Sequence, residues 1–287
     1  MSTANYKLIR KLTNGKSINH KVVSYAQELL FSLILDYATN QEQLEQIKEK
    51  LSSMEVKLLT DNTFKRTYNK YSRGVIPYAF AIDSTIYLKI SSKLKNYDFH
   101  NLIHEMLHVM SANNKKMGLY QRLENHQFYG YGFNEAFTEY MTSLLLDEKF
   151  INYPSDLNYM IQLFMELSNT NTKEMFKLYT SGEEWISSDI VKRFNASNDS
   201  LIDLIIEYDN RLATTRVRSF NPDKVLRIIL DSVQDKIDND IYFDKSNVSS
   251  LLRQYYNFFE EWDLDPKIRE RVLEVIDNLK SSILVLK

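Results

Sequence analysis

The sequence predicts a mostly helical α+β protein, with a small sheet and helices in the amino-terminal part and an all-α part after it. Three observations predict this. Gly (6) and Pro (4) are scarce in 287 residues, so few tight turns are available to a many-stranded sheet. Short β-type runs are confined to residues 56–90. Beyond Pro154, apolar residues recur almost everywhere at helical spacing.

In order, Val22, Tyr25, Ala26, Leu29, Leu30, Leu33 and Ile34 mark an amphipathic helix over residues 22–37. Leu44, Ile47 and Leu51 stripe a second one over 41–51. Residues 56–59, 78–82 and 85–90 read as strands, the last two joined by a tight turn at Asp83-Ser84. Asp98 is the expected N-cap of a helix over 99–111, whose Ile103, Met106, Leu107 and Met110 form a core face. A loop containing Gly118, Gly130 and Gly132 leads to a helix over 134–147 with Ala136, Phe137, Tyr140, Met141, Leu144 and Leu145 on its apolar side. Asn221-Pro222 and Asp265-Pro266 are N-cap-plus-N1 pairs opening apolar-periodic stretches at 225–237 and 268–286. The division expected is 1–152, α+β, followed by 153–287, all helical and completing a cleft.

Composition narrows the function. Hydrophobic content of 44% and charged content of 26% are those of a globular chain. A net charge of −2 supplies no basic footprint for nucleic acid or an anionic membrane. No signal peptide and no apolar run near eighteen residues is visible, so the expected location is the cytoplasm, with leaderless export the other route. With no cysteine, any metal must be held by His, Asp or Glu.

His104-Glu105-Met106-Leu107-His108 is an HExxH string, and two of the five histidines stand in it. On a helix, residues i and i+4 share a face, so both imidazoles can reach one Zn²⁺. The glutamate between them can hold and deprotonate a metal-bound water. A third protein ligand is needed, and downstream candidates are His126, Glu135 and Glu139. The last two are four residues apart and face the same way on a helix. His126 lies in the aromatic, glycine-bearing stretch His126–Phe133, where a loop or substrate-binding role is expected. His100, one turn before His104, reads as a structural residue at the helix start. Asp238-Asn239-Asp240 with Asp244 lacks the glycine and terminal Glu of an EF-hand and reads as a polar turn.

Asn134-Glu135-Ala136-Phe137-Thr138-Glu139 resembles the NExx(S/T)(D/E) segment of gluzincins, the thermolysin-like superfamily of HExxH zinc metallopeptidases. The resemblance covers residues 79–147 and implies a zincin-like core, a small sheet plus an active-site helix. It implies Glu135 as third ligand, Glu139 as the carboxylate orienting His104, and Glu105 as general base in hydrolysis of a peptide or protein substrate. Two departures stand out: Thr138-Glu139 replaces the commoner Ser-Asp, and no His follows His126 to stabilise an oxyanion. A tyrosine is the expected substitute, with Tyr153, Tyr159 and Tyr179 available in the helical half. The metzincin pattern does not fit, because Val109–Asn114 supplies neither its glycine nor a third histidine. Two rival readings remain: a cytoplasmic regulatory metallopeptidase resembling ImmA/IrrE, and a non-catalytic interaction protein whose helices a zinc ion ties together.

Overall fold

A computed structural model describes residues 3–72, 76–90, 93–113, 116–122, 128–148, 153–181, 184, 186, 188–194, 198–212, 220–239, 243–260 and 262–284. The described chain is mostly helical, with thirteen helices and six short strands. None of these helices is long and apolar enough to cross a membrane. Two compact units emerge, neither continuous in sequence. One comprises Met1–Gly118, Thr138–Asn152 and Phe176–Gly182; the other comprises Leu119–Phe137, Tyr153–Met175 and Glu183–Lys287. Of the five exchanges, one falls at residue 152/153, two fall within single helices at 137/138 and 175/176, and two fall at 118/119 and 182/183.

The first unit opens with α1 (Thr3–Thr13), α2 (His20–Ile34) and α3 (Gln41–Ser53). Asn19 caps α2, its side-chain oxygen accepting from the Lys21 and Val22 N–H groups. Asn40 caps α3 by accepting from Gln43 N–H at 2.8 Å. Strands β1 (Glu55–Leu59), β2 (Ala79–Ile82) and β3 (Thr85–Lys89) form a sheet of order β1-β3-β2, with α4 (Asp61–Tyr71) inserted after β1. β1 runs parallel to β3, Val56 opposite Ile86, and β2 runs antiparallel to it, Ala81 opposite Ile86. The β2–β3 hairpin turns at Asp83, whose φ of +52° is left-handed, a conformation Asp tolerates better than most residues.

Side chains alternate across β3. Phe80 stacks on Tyr87 at 4.8 Å, and Phe64 and Tyr68 of α4 meet the Phe80 ring edge-on. Ile86 and Leu88, buried, face the opposite way. α5 (Asn96–Ser111) packs against β2 and β3 on the sheet and against α2 and α3. It begins at Asn96, three residues before the expected start, and its N-cap is Lys95 rather than Asp98. Asp98 serves instead at the third helical position, accepting from Lys95 N–H at 2.8 Å. β4 (Lys116–Met117) follows α5.

In the second unit β5 (Tyr120–Arg122) pairs antiparallel with β6 (Phe128–Tyr129). α6 (Tyr131–Leu146) begins there, again three residues earlier than the apolar pattern suggests. α7 (Ser155–Leu167), α8 (Thr172–Thr180), α9 (Asp189–Arg193), α10 (Asn198–Leu212), α11 (Pro222–Asn239), α12 (Lys245–Phe258) and α13 (Pro266–Leu284) complete the chain. Pro222 and Pro266 each occupy a first helical position, and Asn221 and Asp265 accept from the N–H groups of Lys224 and Lys267. Asp244 is spent on the cap of α12, accepting from Ser246 and Asn247 N–H at 3.0 Å. Phe133, Phe164, Phe194 and Tyr208 build an aromatic core by edge and stacked contacts.

Candidate metal centre

α5 carries His100, His104 and His108 four residues apart, so all three rise along one face, and all three are buried. From Asn101 to Ser111 every residue is buried except Glu105, which is partly exposed. The helix is therefore fixed along its length, and the glutamate of the motif is the side chain with an outlet. Its carboxyl end is fixed as well. Lys50 donates from Nζ to the Met110 and Ala112 carbonyls at 2.8 and 2.7 Å, satisfying acceptors the last turn would otherwise leave unpaired.

The start of α6 is held differently. Asp209 of α10 accepts from the Gly130 and Gly132 N–H groups at 3.0 and 2.7 Å, placing a carboxylate where the helix dipole is positive. Burial pushes the Asp209 carboxyl up to about 6 despite those hydrogen bonds. A Cβ on Gly132 would lie 2.6 Å from the Tyr208 backbone carbon and oxygen, so only glycine permits this approach. Asn134, buried, accepts from Leu119 N–H at 2.9 Å and ties the preceding segment to the helix. Glu135, Thr138, Glu139 and Thr142 then share one face of α6, all four buried.

The donor atoms of His104, His108 and Glu135 all lie within 4.8 Å of one another, a group able to hold a metal ion. Glu139 Oε2 lies 3.1 Å from His104 Nδ1. Burial alone would raise the Glu139 carboxyl, but hydrogen bonds from His100 and His104 outweigh it and hold it well below the ordinary carboxylate range. An ionised carboxylate only accepts, so His104 Nδ1 carries the proton and His104 Nε2 presents a lone pair. That lone pair faces His108 Nε2 at 3.1 Å. Two Zn–N bonds of 2.0–2.1 Å at a tetrahedral angle set their nitrogens about 3.3 Å apart, so the pair is spaced for one ion.

Around this group the hydrogen bonds continue. Glu139 Oε1 meets His100 Nε2 at 3.0 Å, and His100 Nδ1 meets Glu148 Oε2 at 2.7 Å. His100 is thus not merely a helix-start residue but a bridge between two carboxylates. Thr138 Oγ1 lies 3.5 Å from His108 Nδ1 and 2.8 Å from the Tyr179 hydroxyl. Among the three tyrosines, Tyr179 is fully buried against Thr138, whereas Tyr153 donates to Glu135 Oε2 at 2.5 Å. Tyr159 is partly exposed on α7. His126 lies outside the described residues.

Three contributors escaped sequence reasoning. His100 stands at the same i, i+4 spacing from His104 as His108 does, a signal that was visible. Glu148 and Asp209 have no such mark, because each meets its partner only through the packing of one helix on another.

Compared with family models, curated proteins and solved structures, the chain matches none.

Proposed function

We propose that the chain is a zinc-dependent peptidase with a zincin-like core of gluzincin type, in which His104, His108 and Glu135 hold the ion. The observation that carries this reading is the pair of imidazole Nε2 atoms 3.1 Å apart with the Glu135 carboxylate beside them. Two nitrogens and one carboxylate, with no thiolate, are a donor set suited to catalytic rather than purely structural zinc. A Zn²⁺ ion bound there supplies Lewis acidity and a water acidified to near neutrality.

Glu105 is the general base. Its partial exposure, alone in a buried run of α5, supports this role, because a proton carrier must meet solvent or substrate. Its carboxylate takes the proton from the attacking water and returns it to the leaving amine. Glu139 keeps His104 in the Nδ1–H tautomer. Tyr153 supplies the oxyanion donor absent from this histidine-poor chain, its O–H turning from Glu135 to the carbonyl oxygen as negative charge develops.

Metal content by mass spectrometry and cleavage of a broad peptide library, for wild type and Glu105→Gln, test the reading together. Wild type is expected to carry one zinc and cut peptides; the variant is expected to keep zinc and lose cleavage. A wild-type protein with full zinc and no cleavage would leave the zinc-tied interaction protein as the answer.

A further inference from the structure

The hydrogen-bond path behind His104 is longer than ligand orientation requires. Glu139 uses one oxygen for His104 and the other for His100, and His100 uses its second nitrogen for Glu148. His100 has no solvent exposure, and the Glu148 side chain is 11% exposed, so the path runs from the ligand pair to the edge of its unit. All four residues lie in α5 or in and just after α6.

The chemistry of the donors fixes the protons. Glu139 has one oxygen 3.1 Å from His104 Nδ1 and the other 3.0 Å from His100 Nε2, the arrangement of one carboxylate accepting from both rings. If His100 were neutral, its Nδ1 would carry a lone pair aimed at the Glu148 oxygen 2.7 Å away, two acceptors facing each other in a buried site. Burial raises the Glu148 carboxyl, but hydrogen bonds and charge from His100 and from the amino terminus of the chain outweigh it and hold it low. Burial likewise pulls His100 down, but its hydrogen bonds to both glutamates outweigh this and raise the imidazole above its ordinary value. His104 opposes this only weakly, as the last of the charges acting on His100.

We propose that His100 is a positioning residue: a buried imidazolium held between Glu139 and Glu148, it fixes the Glu139 carboxylate so that His104 offers its Nε2 to the metal. The inference rests on the metal-site reading above. Without the His100 grip, Glu139 Oε1 loses its donor, and a buried carboxylate short of a partner rotates toward another. A rotated Glu139 no longer holds the His104 ring. Glu148 matters because it is the counter-charge that keeps the second proton on His100.

The test uses the full chain labelled with ¹⁵N-histidine, whose five histidines give few imidazole signals, alongside zinc affinity measured by chelator competition. In wild type, one imidazole is expected to carry protons on both nitrogens at pH values well above the usual ~6.5 of histidine. Glu148→Gln, a change near the partly exposed end, is expected to remove that signature and weaken zinc roughly 10-fold. His100→Leu is expected to weaken zinc about 10–100-fold, the range for lost outer hydrogen bonds to a metal ligand. His100→Lys, which restores a cation between the carboxylates, is expected to recover part of the loss. A singly protonated His100 in wild type overturns the proposal. So does unchanged zinc affinity in folded Glu148→Gln, which carries the test even if His100→Leu does not fold. Zinc binding by wild type decides the metal-site reading separately, and its absence would remove both.

Discussion

His104 and His108 bring their Nε2 atoms to 3.1 Å in a buried site, with the proton of His104 committed to Glu139 on the other side of its ring. For one of these nitrogens to accept, the other must carry a proton, and a cation between them takes that proton's place. Zinc is therefore expected to raise the melting temperature and EDTA to lower it. With free metal about 100-fold above Kd, the gain is about 2.7 kcal/mol. Glu135→Ala removes a ligand rather than an orienting group, so its affinity should fall by more than the ~10–100-fold typical of outer contacts. Chelator competition checks this, and full retention of zinc would move the third ligand to another residue.

Tyr153 donates to a carboxylate of the ligand group, whereas Tyr179 is buried against Thr138. If Tyr153 is the oxyanion donor, Tyr153→Phe removes one transition-state hydrogen bond and leaves substrate binding nearly as it was. Because the variant also loses the hydrogen bond to Glu135, it is assayed at saturating zinc, where the expectation is a kcat lower by about 10²–10³ with KM close to wild type. Tyr179→Phe serves as the comparison, because its hydroxyl has no route to substrate. Equal kcat for wild type and Tyr153→Phe would discard the assignment.

What the sequence made legible was local. The i, i+4 spacing of His104 with His108 and of Glu135 with Glu139 needs only helical geometry, and apolar periodicity located α5, α6, α11 and α13. Helix starts were less readable. α6 begins at Tyr131 because Asp209, 74 positions beyond Glu135, accepts the N–H groups of its first turn. α4 escaped the apolar pattern because Phe64 is its one buried residue. The parallel pairing of β1 with β3 across an inserted helix, and the partnership of His100 with Glu148, exist only after the chain has folded.

Gly132 sets how closely α6 approaches the Tyr208 backbone. In Gly132→Ala the new Cβ would meet main-chain atoms at 2.6 Å, and backbone cannot turn aside as a side chain can. One of the two segments must move, at a cost of about 1–3 kcal/mol. Denaturant unfolding should show this as a lower midpoint. Because the shift lies one turn before Glu135, zinc affinity should fall as well. A variant as stable as wild type would mean that the approach is looser than 2.6 Å.

Asp209 makes the stability of this same junction depend on pH. Its folded pKa of about 6 lies above its ordinary 3.8, because burial disfavours the carboxylate more than the Gly132 and Gly130 N–H groups favour it. Between those values the folded state binds more protons than the unfolded one, so the contribution is fully present below pH ~4. It is lost as pH rises to about 6 and is flat above that. The difference of 6 − 3.8 = 2.2 units corresponds to about 3 kcal/mol at 1.36 kcal/mol per unit, an order-of-magnitude figure. Asp209→Asn stays neutral at every pH and loses one acceptor, so it carries a constant penalty without the slope. Unfolding both proteins in metal-free buffer from pH 4.5 to 7 isolates the effect as a difference. Wild type should lose stability relative to Asp209→Asn as pH rises, and a difference that stays constant would show that Asp209 is solvated enough to titrate as an ordinary carboxylate.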